Sequence, residues 1–145
     1  WGGVMAAVVT AIALTSWGLL GDADEPDPRD VVDQFYACEQ KGDYGSAWEL
    51  FHPQMKERFE KDRYIQERSH VFMQDFNVKT FAYQLGEADD VDTWRMSKDS
   101  PPLHDVYKIP VTQTFDSAFG HFSIEQDVYV AENNGQWSIL WYYAD

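Results

Sequence analysis

The first 21 residues, WGGVMAAVVTAIALTSWGLLG, contain no ionisable side chain, and the first charge along the chain is Asp22. An apolar run of about 20 residues is long enough to cross the roughly 30 Å hydrocarbon layer of a bilayer as a helix. Trp1 and Trp17 suit the two interfaces, and Gly21-Asp22-Ala23 is a poor match to a small-residue cleavage site. An uncleaved transmembrane anchor over residues 1–21 therefore fits better than a cleaved signal segment, which would leave the protein secreted, or a buried core helix. No cysteine follows the run closely, so a lipoprotein is disfavoured. Residues 22–30, DADEPDPRD, carry five acids, one arginine and two prolines. That composition makes a stiff, self-repelling spacer, and the folded domain is expected over 31–145.

From Pro28 the apolar positions follow a helical period. Val31, Val32, Phe35, Tyr36 and Cys38 form one face, Pro28 suits a first turn and Asp30 its dipole. Gly42 fits a left-handed position after the helix, and Asp43 fits the cap of a second helix carrying Ala47, Trp48, Leu50 and Phe51, ended by Pro53. A third helix is expected from Asp62, with Ile65, Val71 and Phe72, after a charged stretch containing Met55 and Phe59. After Phe76 the period falls to two. A strand is expected from Val78 to Leu85, a short broken one between Glu87 and Pro102, and three stronger ones built on Tyr107–Phe115, Phe122–Val130 and Trp137–Tyr143. Pro110 marks an edge or a bulge, and Asn134-Gly135 predicts a type I′ hairpin. Three helices followed by an antiparallel meander define an α+β domain with the helices on one face of the sheet.

This order resembles the cone-shaped nuclear-transport-factor-2-like (cystatin-like) fold. More narrowly, DVVDQFYACEQKGDYGSAWELF resembles the opening of the non-catalytic N-terminal domain that precedes the transpeptidase domain in penicillin-binding proteins. YKIPVTQTFDSAFGHFSIEQDVYVAENNGQWSILWYYAD resembles that domain's closing strands, and the similarity covers about residues 28–143. The Ser-x-x-Lys, Ser-x-Asn and Lys-Thr-Gly elements of a transpeptidase are absent from these residues. The resemblance thus implies the non-catalytic domain of an envelope protein linked to peptidoglycan and antibiotic response, without cross-linking chemistry.

Charge narrows the partners. The chain has 11 Lys+Arg against 25 Asp+Glu, a net charge of −14 with no basic cluster, which excludes nucleic-acid binding and disfavours docking on anionic lipid. One cysteine provides neither an internal disulfide nor a structural zinc site. The fold must rest on its core, which 9 Phe, 8 Tyr and 6 Trp can supply.

Folds of this shape enclose a conical pocket, and the candidates to line it are Tyr36, Tyr107, Asp116, His121 and Trp141, with His104 as a further candidate. An acid or imidazole there would need its proton affinity moved by burial and partners. Each has a plainer role: Asp116-Ser117 with Gly120 reads as a turn, His104 as a loop residue after two prolines, His121 as the polar phase of a strand. Trp137, Trp141 and Tyr143 are expected in the core, with Leu140 and Tyr142 on the opposite face as an exposed patch for a partner. Asp89, Asp90 and Asp92 lack the glycine and distal glutamate of a calcium loop. Cys38 is expected to be a buried thiol without a redox task. His52 and His70 are expected at the surface or at a boundary, no metal-ligand pair stands out, and no cofactor is implied. The favoured function is a non-enzymatic, membrane-anchored extracytoplasmic binding or spacer module, whose partner is an envelope protein or cell-wall component. Two alternatives stand beside it: a small pocket enzyme of the ketosteroid isomerase or dehydratase type, and an assembly component resembling the periplasmic domain of a type IV secretion protein.

Overall fold

A computed structural model describes residues 26–78 and 80–143. Four α-helices come first: α1 Pro28–Gln40, α2 Tyr44–Glu49, α3 Pro53–Arg58 and α4 Lys61–His70, the last continued by a π-helical stretch, Val71–Asp75. Five strands follow: β1 Ala82–Leu85, β2 Asp89–Trp94, β3 Leu103–Ser117, β4 Gly120–Asn133 and β5 Gln136–Trp141. The sheet is antiparallel and curved, and the helices pack on one face. The α+β expectation therefore holds. Among the described residues no helix is long and apolar enough to cross a membrane, and the anchor expected over 1–21 lies outside them.

Local chemistry sets the helix ends. The Asp27 carboxylate accepts from the Arg29 N–H at 2.9 Å ahead of Pro28. Gly42 has φ +77°, where glycine meets no Cβ penalty, and the Gly42 and Asp43 N–H groups return to the Glu39 and Cys38 carbonyls. Asp43 caps α2 by accepting from the Ser46 N–H at 3.1 Å. Where three helices were expected there are four, because Pro53 begins a helix as well as ending one. It occupies the first position of α3, where its missing N–H is no loss, and His52 Nδ1 accepts from the Gln54 N–H at 3.2 Å as the cap. Residues 50–52 also close the open edge of β5. Leu50 O accepts from the Ile139 N–H, His52 N–H donates to Ile139 O, and Phe51 bridges Ile139 in parallel.

The strands extend the sequence pattern in some places and shorten it in others. β1 begins only at Ala82, whereas β3 and β4 run for 15 and 14 residues as one long hairpin. One flank of β3 pairs first with β2, through residues 103–108, and then with β1, through 111–114. Pro110 stands at the change of partner, inside a central strand rather than at an outer edge. Its carbonyl accepts from the Gly86 N–H at 2.7 Å, so on that flank the proline keeps its ladder acceptor and lacks only the donor. A Cβ at Gly86 would lie 3.0 Å from the Pro110 ring, so any side chain there would press the ring aside. The hairpin expected at Asn134-Gly135 is present, with φ +53° and +77° and Asn133 paired to Gln136.

Aromatic rings fill the space between helices and sheet. On one side Phe72 stacks on Tyr44, Phe81 and Phe115 at centroid distances of 6.1, 5.8 and 5.7 Å, and Phe115 continues onto Phe122 at 5.2 Å. On the other side Phe51 meets Phe35, Tyr64 and Trp141 at 5.4, 5.1 and 5.1 Å. A second, smaller apolar layer covers the far face of the sheet, where Trp94 stacks on Tyr129 at 4.3 Å beside buried Met96 and Val106. It corrects the expectation for Leu140. That residue pairs with Tyr129 across the strands and is 0% exposed, so only Tyr142 remains as an exposed apolar group of the expected patch.

The α3 cap makes stability depend on pH. Burial lowers the His52 pKa from its ordinary 6.5, so the neutral ring that accepts the Gln54 N–H belongs to the folded state and the unfolded chain takes up the proton first. That stabilisation is present above the unfolded value and is lost as pH falls through the folded one. In urea unfolding at pH 7 and pH 5, the wild type should lose about 1 kcal/mol relative to His52→Asn, the usual worth of an N-cap that asparagine keeps without titrating. Parallel pH profiles for the two proteins would refute it.

Candidate functional site

The helix face that carries Val32, Phe35 and Tyr36 carries Glu39 one turn later, and packing takes this glutamate into the interior with the rings. Its carboxylate is fully buried. Two residues four apart on α4 meet it: the Tyr64 hydroxyl donates to Oε1, and Arg68 Nε donates to the same oxygen at 3.3 Å and to the Tyr64 oxygen at 3.2 Å. A buried carboxylate without partners would be strongly unfavourable, so this pair of donors is what permits Glu39 inside. Burial works against the Arg68 charge, but the Tyr64 oxygen and the Glu39 carboxylate outweigh it and hold the guanidinium protonated. Burial also raises the Tyr64 hydroxyl pKa well above its ordinary value, so it stays a donor.

Two hydroxyl and carboxyl atoms of this cluster are left over. Among the described residues, Glu39 Oε2 and the Tyr36 hydroxyl are buried without a hydrogen-bond partner, as is Nε2 of Gln113 on the helix-facing side of β3. Burial pushes the Tyr36 pKa up as well. Tyr83, whose ring lies 5.7 Å from that of Tyr36, donates to Asp33 Oδ1 at 2.7 Å. Burial together with that bond pushes its pKa up to about 12.

Above the ion pair lies a cleft of about 380 Å³ between α4, the π-helical stretch, the middle of β4 and the end of β5. Phe59, Tyr64, Trp141 and Tyr143 supply its rings, Arg68 its charge and Gln126 its amide. The sheet's register explains the opening. Phe122, Ile124, Gln126 and Val128 share the helix-facing side of β4, yet Ile124 is exposed and Gln126 half-buried, because the helical layer stops short of them. A contiguous cleft of about 370 Å³ shares Phe59, Tyr64, Glu67 and Tyr143 and continues toward Arg58 and Arg63.

The residues expected to line a pocket are thus dispersed. Trp141 borders the cleft and Tyr36 is buried between the helices and the sheet. Asp116 and His121 do meet, with Nδ1 and Oδ1 2.9 Å apart, but at the exposed end of the β3–β4 hairpin, where both side chains face water. Tyr107 packs edge-on against Trp137 at 5.5 Å, toward the opposite end of the sheet. His104 is exposed beside Thr93. His52 is buried, and Cys38 is half-buried rather than enclosed, with burial raising its thiol pKa. Asp89 and Asp90 sit exposed on β2, whose outer edge is unpaired, where charge discourages edge-to-edge association. Among the described residues no three potential metal ligands come together. Glu39 and Arg68 did not stand out in the sequence. The available signal was a charge on the apolar stripe of α1, three residues after Tyr36, with Tyr64 and Arg68 one turn apart on α4.

No protein-family model matches the chain, and no curated protein matches it.

The cluster separates by substitution. Glu39→Gln should lower the unfolding free energy by about 3 kcal/mol, the low end for breaking a buried pair because Arg68 retains some access to water. Tyr64→Phe should lower it by about 2 kcal/mol, the loss of a hydrogen bond to a charge. The double variant should lose less than the sum, because both remove donors or acceptors of one cluster. Additive losses in urea titrations would show that the contacts do not act together.

Proposed function

We propose that the domain is a non-catalytic binding or spacer module of the cell envelope, held outside the cytoplasm by the apolar segment 1–21 and set off from the membrane by the acidic spacer. It resembles in role the N-terminal domain of penicillin-binding proteins. The observation that carries this reading is the packing of rings between the helices and the curved sheet. Stacked rings from Tyr44 through Phe72 and Phe115 to Phe122 occupy the volume in which a pocket enzyme would hold its substrate. The acid–base candidates lie elsewhere. Asp116 and His121 are solvated, and the one buried carboxylate among the described residues, Glu39, is engaged by Tyr64 and Arg68 rather than held free as a base. An isomerase or dehydratase finds little support in that arrangement.

Charge favours the same reading. A net charge of −14 with the sheet half the most acidic part keeps the domain off anionic lipid, which suits a tethered module that meets partners away from the bilayer. The full chain with a C-terminal tag, produced in a Gram-positive cell, should sediment with membranes and lose its tag to protease added to intact protoplasts. A tag that stays protected in the soluble cytosolic fraction would overturn the proposal.

A further inference from the structure

The cleft over the Glu39–Arg68 pair has the features of a ligand site. Both hydrogen bonds that Arg68 makes among the described residues leave from Nε, toward Glu39 and Tyr64. Its two Nη groups are therefore open at a side chain that is 27% exposed and borders the cleft. A guanidinium with its Nη edge open presents two parallel N–H donors, the arrangement that matches the two oxygens of a carboxylate. The buried Glu39 holds that fork in place, so little side-chain freedom remains to be lost on binding.

The surroundings define the rest of the ligand. Trp141, Tyr143 and Phe59 offer flat apolar surface, and the Gln126 amide adds one donor and one acceptor at the rim. A volume of about 380 Å³ lies at the low end for ligand pockets, which are about 300–1,000 Å³, and so suits a small molecule. A cation is disfavoured, because Arg58 already lies 4.0 Å over the Tyr143 ring and Arg68 5.8 Å from that of Trp141. A multiply charged anion is disfavoured by Glu67 in the lining and by the net charge of −14.

We propose that this cleft binds a small monocarboxylic acid with a flat apolar body, its carboxylate on the Nη groups of Arg68 and its body against Trp141 and Tyr143. The site goes beyond the envelope-module reading and does not depend on where the domain resides, so either can fail alone. Phenylacetate and 1-naphthylacetate are titrated into the full chain and followed by calorimetry and by the NMR shifts of the indole and amide side-chain signals. Saturable binding at one site is expected, with shifts at Trp141 and Gln126 and at least tenfold weaker binding of phenylacetamide than of phenylacetate. Arg68→Lys, which keeps the charge but loses the fork, should weaken the acid at least tenfold, and Gln126→Leu should weaken it a few-fold. The acid–amide comparison uses the unaltered protein and decides the matter if Arg68→Lys does not fold. No saturable binding of either acid, equal binding of acid and amide, shifts confined to residues outside the cleft, or inorganic phosphate binding as well as phenylacetate would each overturn the proposal.

Discussion

A single buried carboxylate organises the helical half of this domain. Glu39 is carried inward by the apolar stripe of α1 and must be answered there by donors. The two that answer it, Tyr64 and Arg68, fix the rotation and height of α4 against α1. Replacing such a pair with apolar groups of similar volume is often no worse for stability, so its worth lies in orientation rather than in net energy. Here the orientation has a visible product. The guanidinium that satisfies Glu39 through Nε also lines the cleft, and its side chain is partly exposed there.

The aromatic rings do the complementary work. With one cysteine and no disulfide, stability comes from burial, and large rings bury the most area per residue. They close the interior along Phe72, Phe81 and Phe115 and again along Phe35, Phe51 and Trp141. The helical layer ends before Ile124 and Gln126, so the ring-packed interior opens at that end.

Much of the fold was legible because its signals are local. Asp27, Gly42 and Asp43 act within a few residues of themselves, and Asn134-Gly135 sets its own hairpin. The misreadings arise where distant segments decide. Pro53 both ends and begins a helix, and the bridge from Phe51 to Ile139 ties that junction to β5, 88 positions along the chain. Leu140 is covered because the stretch around Trp94 and Met96 folds over the far face, an arrangement that alternation along β5 alone does not contain. The same holds for the site. Trp141 was among the residues expected to line a pocket, whereas Glu39 was hidden by its charge on an apolar stripe, and Arg68 gains its meaning only from Glu39. Asp116 and His121 pair as their places on the hairpin allow, but the hairpin extends past the helices and leaves them in water.

In the proposed site Glu39 holds Arg68 at Nε and leaves its Nη groups to the ligand, and side-chain NMR of the arginine reads both in one sample. In the full chain the Arg68 Nε–H signal should be sharp, slow to exchange with water and lost in Glu39→Gln, while the Nη signals alone move when phenylacetate is added. An Nε–H that exchanges as fast as that of the exposed Arg63, unchanged by Glu39→Gln, would show that Glu39 does not hold Arg68.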